Sequence, residues 1–159
     1  MIDCLDIEDA IIREEIRKQR IVAPRVSLWA WESDILSATK KGYFTEYEIK
    51  VSRSDFHADK RKVRKHKSVQ LGLAVKYFYY VCPEGLIQEE DLPYEKYGLI
   101  HITDRKRIVV VKKASDLGVK PPHSNLMKWF NSRIYWRMIN EFQFRYKLHK
   151  QLRDDSNNN

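Results

Sequence analysis

Residues 75–82 constrain the fold more than any other segment of the chain. They read Val-Lys-Tyr-Phe-Tyr-Tyr-Val-Cys, an almost continuous aromatic and β-branched run that Pro83 and Gly85 close. Such a run is typical of a strand that is buried on both faces. With 159 residues, the chain is long enough to bury a sizeable core around such a strand. The pattern therefore predicts a globular domain built on a covered sheet.

The other predicted elements surround this strand with helices. The segment Lys40-Lys41-Gly42 separates two β-rich stretches and indicates a hairpin. The predicted elements are a helix over residues 3–20, strands over 31–38 and 43–51, a helix over 54–67, strands over 75–82, 97–103 and 107–112, and a helix over 124–152. We expect an α/β domain, a mixed sheet flanked by helices, with the core order αββαββα. It spans residues 1–153, and the polar tail at 154–159 is predicted to be disordered.

Charge favours a polyanionic partner. Lys and Arg number 30 against 22 Asp and Glu, which gives a net charge of +8. The excess is uneven: residues 52–67 carry +5 and residues 120–153 carry +7, whereas residues 84–104 carry −5. This distribution indicates one cationic surface suited to nucleic acid. An RNA-binding or membrane-surface protein is an interpretation that rests on charge alone.

The cysteine count and the lack of long apolar runs favour a location in the reducing cytoplasm. Two cysteines, Cys4 and Cys82, are too few for a disulfide framework, so a reducing environment is expected. No apolar run approaches the ~20 residues that cross a bilayer. The acidic start of the chain lacks the pattern of a signal peptide. We therefore predict a cytoplasmic protein, nucleoid-associated if bacterial or phage, with no membrane partner.

Two carboxylates and an amine are predicted to meet on the first hairpin. Strand alternation places one set of side chains together and points the other set into the core. The first set is Glu46, Glu48 and Lys50, and the second is Tyr47, Ile49 and Val51. Asp34 lies on the paired strand. Carboxylate oxygens suit Mg²⁺ or Mn²⁺. A surface ion pair between Glu48 and Lys50 is the alternative.

The order of motifs along the chain resembles a nuclease superfamily. Asp34 and Glu48-Ile49-Lys50 lie in a hairpin between helices, and the further matching segments are Ser54-Asp55-Phe56, Asp59-Lys60, Tyr77-Phe78-Tyr79-Tyr80-Val81, Pro83-Glu84-Gly85-Leu86-Ile87, Leu92-Pro93 and Tyr97-Gly98-Leu99-Ile100. Residues 8–114 resemble the PD-(D/E)XK nucleases, and most closely the MmcB-like DNA-repair branch. Residues 115–159 are not covered. Ser33 replaces the proline of the superfamily motif, and residues 61–67 are basic where the branch has Trp and Tyr.

The resemblance implies a fold, an activity and a site. The fold is restriction-endonuclease-like, and the activity is metal-dependent hydrolysis of DNA phosphodiester bonds in repair, recombination or processing. Asp34 and Glu48 would hold Mg²⁺ or Mn²⁺, with the Ile49 carbonyl as a further ligand, and Lys50 would assist the attacking water. Many relatives add an acid from the first helix. We favour Glu15 there, with Glu8, Glu14 or a plain ion pair as alternatives.

Two helices are candidates for binding surfaces. On the predicted helix over 54–67, one arc could track a phosphate backbone: His57, Lys60, Arg61, Arg64 and Lys65. A solvated helix face is the alternative. On the last helix, aromatic side chains alternate with cations, which suits nucleic acid or a dimer. We favour instead that Trp129, Trp136 and Phe142 pack on the sheet.

The sequence thus predicts a magnesium- or manganese-dependent DNA nuclease. The alternative is a catalytically silent DNA-binding or recruitment module on the same fold. The sequence leaves open the DNA structure and base preference, endonuclease against exonuclease action, a homodimer, and a repair or replication protein partner.

Overall fold

A computed structural model describes residues 2–120 and the helix at 124–157. The chain divides into two compact units, Met1–His123 and Ser124–Asn159. The first unit contains helices α1 (Cys4–Arg17), α2 (Arg53–Lys60) and α3 (Val63–Gln70) and strands β1 (Ile21–Val26), β2 (Ser33–Ala38), β3 (Phe44–Ile49), β4 (Tyr77–Pro83), β5 (Gly98–Ile102) and β6 (Ile108–Lys112). The second unit is helix α4 (Ser124–Asn157). The prediction of a single domain over 1–153 stays a prediction.

The six strands form one mixed sheet in the order β1-β2-β3-β4-β5-β6. Strand β2 runs antiparallel to both of its neighbours, β1 and β3. Strands β3, β4 and β5 are parallel, and β6 returns antiparallel to β5. The predicted α/β class with a mixed sheet and flanking helices is therefore confirmed.

Helix α1 covers one face of this sheet. Asp3 caps it in a reciprocal arrangement with Asp6, whose backbone N–H donates to Asp3 Oδ1 at 2.8 Å. Ile7 and Ile11, one turn apart, are both buried. They belong to a core cluster with Ile35, Tyr47, Ile49, Val81, Ile100 and Ile102. This cluster fixes α1 on the sheet face that carries Tyr47.

Strand β3 is buried over its whole length. Helix α1 packs on the face that carries Tyr47 and Ile49, whereas Glu46 and Glu48 point to the other face. The predicted alternation is therefore confirmed within the strand. Val51, which was expected in the core, is exposed because β3 has ended at Ile49.

The predicted order αββαββα is wrong in two places. Strand β1 was not anticipated because Pro24 interrupts its pattern, but β1 is an edge strand, where proline is tolerated. The helix expected over residues 54–67 is two helices, since Lys62 leaves the helical region with φ −75° and ψ 66°. After this break, α3 buries Lys65 and His66. With β1, three strands follow α1 instead of two, whereas the three strands after α3 match the segments predicted at 75–82, 97–103 and 107–112.

Helix α4 forms as predicted and continues further. It runs to Asn157, so residues 154–157 are helical where a disordered tail was expected, and residues 158–159 lie outside the described residues. The side chains of Trp129, Trp136 and Phe142 are all exposed, so the prediction that packing buries them is wrong.

Candidate active site

Asp34, Glu48 and Lys50 meet at the carboxyl end of β3. The pairing of Ile35 with Tyr47, continued by one residue on each strand, places Asp34 opposite Glu48. The backbone N–H of Ile49 donates to Asp34 Oδ2 at 2.8 Å. Lys50 follows directly, and its N–H donates to the carbonyl of Val81 on β4 at 2.9 Å. The carboxyl ends of parallel strands are a common location for ligand sites in α/β folds.

Both carboxylate oxygens of Glu48 accept from ammonium groups. Lys50 Nζ donates to Glu48 Oε1 at 2.8 Å, and Lys65 Nζ donates to Glu48 Oε2. Lys65 Nζ also lies 3.1 Å from Glu46 Oε1. All four side chains are buried. Glu48 is therefore the centre of a buried ionic cluster rather than one half of a surface pair.

Asp59 on α2 belongs to the same cluster, although sequence analysis gave it no role. Its Oδ2 accepts from the Tyr80 hydroxyl at 2.8 Å and lies 3.1 Å from His66 Nε2. Its Oδ1 lies 3.0 Å from Lys62 Nζ and 3.9 Å from Lys50 Nζ. The Asp59-Lys60 motif was the available signal, but the break that brings α3 against Asp59 was not visible in it.

The pKa values of the two buried acids, Glu48 and Asp59, shift in opposite directions. Burial raises the pKa of Glu48, and the charges of Asp34 and Asp59 add to this rise against the opposing effect of Lys65. Burial also disfavours the charged form of Asp59, but the hydrogen bond from His66 and the charge of Lys65 outweigh it and lower its pKa. Glu48 therefore has less compensating positive charge than its burial requires.

The lysine charges are maintained by the same acids. Burial tends to lower the pKa of Lys65, but the carboxylates of Glu46 and Glu48 more than compensate and raise it. The pKa of Lys50 rises in the same way, with burial opposed by Glu48. Both ammonium groups are therefore charged at neutral pH.

The donor set fits a hard divalent ion in part. Asp34 and Glu48 offer carboxylate oxygens and Ile49 a carbonyl, and Mg²⁺ is often held by one or two carboxylates together with water. Within residues 2–120 and 124–157, no group of three or more His, Cys, Asp or Glu side chains is arranged to hold a metal. A cation at Glu48 would also have to share or displace Lys65.

Glu15 does not join this cluster. It is buried against the opposite face of the sheet, where the Ser37 hydroxyl donates to its Oε2 at 2.6 Å and Arg20 lies 3.0 Å away. The expectation that Glu15 completes the metal shell is wrong, because α1 packs on the face of Tyr47 and not on that of Glu48. Glu14 pairs with Arg17 at 2.8 Å.

Glu8 lies on the same helix as Glu14 and Glu15. Burial raises the pKa of the Cys4 thiol, and the negative charges of Asp34 and Glu8 add to this rise. Glu8 also pairs with Arg25 at 3.2 Å.

The proposed phosphate-binding arc is only partly exposed. His57, Arg61 and Arg64 are exposed, and Lys60 lies half-buried with its Nζ 4.3 Å from the centre of the Phe56 ring. Lys65 is buried in the ionic cluster, so its assignment to DNA contact is wrong. Lys62, which sequence analysis left out, is exposed and reaches both Asp59 and Glu48.

Comparison with known proteins bears on the fold alone. No protein-family model matches the sequence, and the search of curated proteins found no match. Among solved structures, the chain is similar to SPO1766, a protein of unknown function from Silicibacter pomeroyi. The two share 15% sequence identity with a TM-score of 0.63, over 86% of each chain. This likeness agrees with a mixed sheet flanked by helices.

None of the helices that the structure describes is both long enough and apolar enough to cross a bilayer.

Proposed function

We propose that this chain is a DNA nuclease of the PD-(D/E)XK type that uses Mg²⁺ or Mn²⁺. The observation that carries the proposal is the convergence of Asp34, Glu48 and Lys50 at the carboxyl end of β3. The restriction-endonuclease-like fold is part of the proposal. It is supported by the antiparallel hairpin of β2 and β3, which lies between α1 and α2 in the chain. It is also supported by the next strand, β4, which runs parallel to β3.

Each residue of the site would have a separate role in hydrolysis. Asp34, Glu48 and the Ile49 carbonyl would hold the ion, which would supply Lewis-acid activation of water and of the phosphate. Lys50 would orient the attacking water and offset the negative charge that develops on the phosphate oxygens. Asp55, 3.7 Å from Lys50 Nζ, helps to hold that ammonium in place. The water oxygen bonds to phosphorus as the bond to the leaving oxygen breaks.

The exposed cations beside the cluster would bind the DNA backbone. His57, Arg61, Lys62 and Arg64 lie on α2, on α3 and at the turn between them. Each phosphate that such a surface neutralises adds about 0.9 to the salt slope of duplex binding. Binding should therefore weaken steeply with salt.

One observation favours a second candidate function. Both oxygens of Glu48 already accept from lysines, Oε1 from Lys50 and Oε2 from Lys65. A Glu48 whose two oxygens are both bonded to lysines suits a DNA-binding module that performs no chemistry. The two candidates differ in one property, because only the nuclease requires a divalent ion at Asp34 and Glu48.

Cleavage assays test the proposal. The wild-type protein is incubated with duplex, nicked, flap, junction and single-stranded DNA in Mg²⁺ or Mn²⁺, beside Asp34→Ala and Lys50→Ala. Asp104→Ala is the matched control, because Asp104-Arg105-Lys106 repeats the acid-x-lysine spacing at an exposed turn. We expect cleavage by the wild type and by the control only. Cleavage that survives both site substitutions contradicts the assignment.

A further inference from the structure

A cavity of about 290 Å³ opens on the sheet face opposite Glu48. Its wall combines three tyrosines with three cations: Tyr47, Tyr77, Tyr79, Lys18, Arg20 and Lys113. These residues come from the segment between α1 and β1, from strands β3 and β4, and from the segment after β6. The volume is close to the lower limit of ligand pockets, which is about 300 Å³. A compact ligand fits such a space.

The aromatic wall is held in a defined position. The rings of Tyr47 and Tyr79 stack, with centroids 5.6 Å apart and planes inclined by 16°. The Tyr79 ring lies against Gly98 on β5, where an added Cβ would come within 2.3 Å of the ring atoms. Tyr79 is half-buried, so part of its side chain remains accessible. The Tyr79 ring therefore presents a partly accessible aromatic surface whose position is already fixed.

The cations of the wall are not all neutralised. Lys18 pairs with Glu14 and Glu15, each at 3.2 Å, and Arg20 pairs with Glu15. The side chain of Lys113 is exposed and forms no ion pair or hydrogen bond within the described part of the chain. Its ammonium is the positive charge at this cavity that is available for a ligand.

From this juxtaposition we propose that the cavity binds a nucleotide, with its base against the tyrosines and its phosphate on Lys113. Base stacking on aromatic side chains and ionic contact with phosphate are the two interactions that the wall offers. Thr45 in the same wall adds a hydroxyl group. The site lies on the other face of the sheet from Asp34 and Glu48, so it does not depend on the proposed metal site.

Calorimetry in EDTA tests this site. The probes are deoxyadenosine 5′-monophosphate, deoxyadenosine and inorganic phosphate, titrated into the full chain. We expect the monophosphate to bind at least about tenfold more tightly than either part alone, because both contacts form only with the whole nucleotide. Absence of monophosphate binding, or equal affinity for inorganic phosphate, overturns the proposal.

Two variants assign the binding to the cavity. Lys113→Gln should weaken monophosphate binding about tenfold or more, whereas its neighbour Lys112→Gln, which loses only a pair with Glu89 at 3.3 Å, should not. Tyr79→Leu should weaken binding about fivefold or more through lost stacking. Urea unfolding verifies that each variant is folded. Wild-type affinity in a folded Lys113→Gln protein contradicts the site.

The same variants identify the source of the nucleotide. A 5′-phosphorylated oligonucleotide that competes with the monophosphate, through Lys113, indicates a strand end as the ligand. Competition that needs the 5′-phosphate separates this site from general DNA binding, because a 5′-hydroxyl strand would bind the other face equally well. If only the free monophosphate binds, the ligand is a free nucleotide; both results support the site.

Discussion

Glu15 and Glu48 are both buried glutamates, on opposite faces of one sheet, and their surroundings differ in kind. Burial opposes the charge of Glu15, but hydrogen bonds from Ser37 and Tyr47 and the charge of Arg20 outweigh it and lower its pKa. Glu48 accepts from Lys50 and Lys65, but burial, together with the charges of Asp34 and Asp59, raises its pKa. The first arrangement stabilises the fold. The second retains an excess of carboxylate, which is typical of a functional site.

The largest expected loss of stability follows from removal of the Lys65 ammonium, which lies between Glu46 and Glu48. Lys65→Met leaves both buried acids without it, and breaking a buried pair from one side costs about 3–5 kcal/mol. We expect the free energy of unfolding in EDTA to fall by about that amount. We also expect Mn²⁺ to increase the free energy of unfolding more in Lys65→Met than in the wild type. Urea unfolding with and without Mn²⁺ measures both.

The control for this prediction lies on the same helix. Lys67 is an exposed lysine of α3, and Lys67→Met should leave stability almost unchanged. If Lys65→Met also leaves stability unchanged in EDTA, Lys65 does not compensate the cluster.

Glu15→Ala should have the next largest effect. The change leaves the buried hydroxyls of Ser37 and Tyr47 without their acceptor, at a cost of about 1–3 kcal/mol for each unsatisfied group. We expect lower stability in urea unfolding but unchanged Mn²⁺ affinity in the folded protein. A loss of Mn²⁺ binding would place Glu15 in the site after all and remove the contrast with Glu48.

Lowering the pH should remove the stabilising contribution of Glu15 gradually. Its folded-state pKa lies below the value of an unfolded glutamate, about 4.3. The stabilisation is therefore fully present above that pH and is lost as the pH falls through the folded pKa. The difference in unfolding free energy between wild type and Glu15→Gln should be constant at neutral pH and shrink below about pH 4.3. A constant difference down to pH 2 would contradict the assignment.

Tyr80→Phe should have the smallest effect. It removes one hydrogen bond to Asp59, which still has His66 as a partner, so we expect a loss of about 1 kcal/mol. Chemical unfolding measures it. A loss as large as that of Lys65→Met would mean that Asp59, and not Glu48, is the centre of the cluster.

The sequence predicted the site more completely than its surroundings. Alternation along one strand placed Glu46 and Glu48 on one face, and hairpin pairing brought Asp34 to them, because both relations are local. The face of the sheet on which α1 packs depends on tertiary contacts, so the sequence offered Glu15 as a candidate but did not show that it lies on the face opposite Glu48.

Lys65 illustrates the same limit. On an unbroken helix over 54–67 it shares an exposed arc with Lys60 and Arg61. The break at Lys62 turns α3 so that Lys65 is buried, and only the acids on the sheet make that burial favourable. No pattern within residues 54–67 carries this information.

Titration of Mn²⁺ into the EDTA-treated, dialysed protein tests the central claim most directly, with wild type, Asp34→Asn and Glu15→Gln compared by calorimetry. The claim that Asp34 and Glu48 form the cation site predicts a saturable heat for the wild type, its loss in Asp34→Asn and its retention in Glu15→Gln. Absence of heat in the wild type, or equal binding by all three proteins, would contradict it.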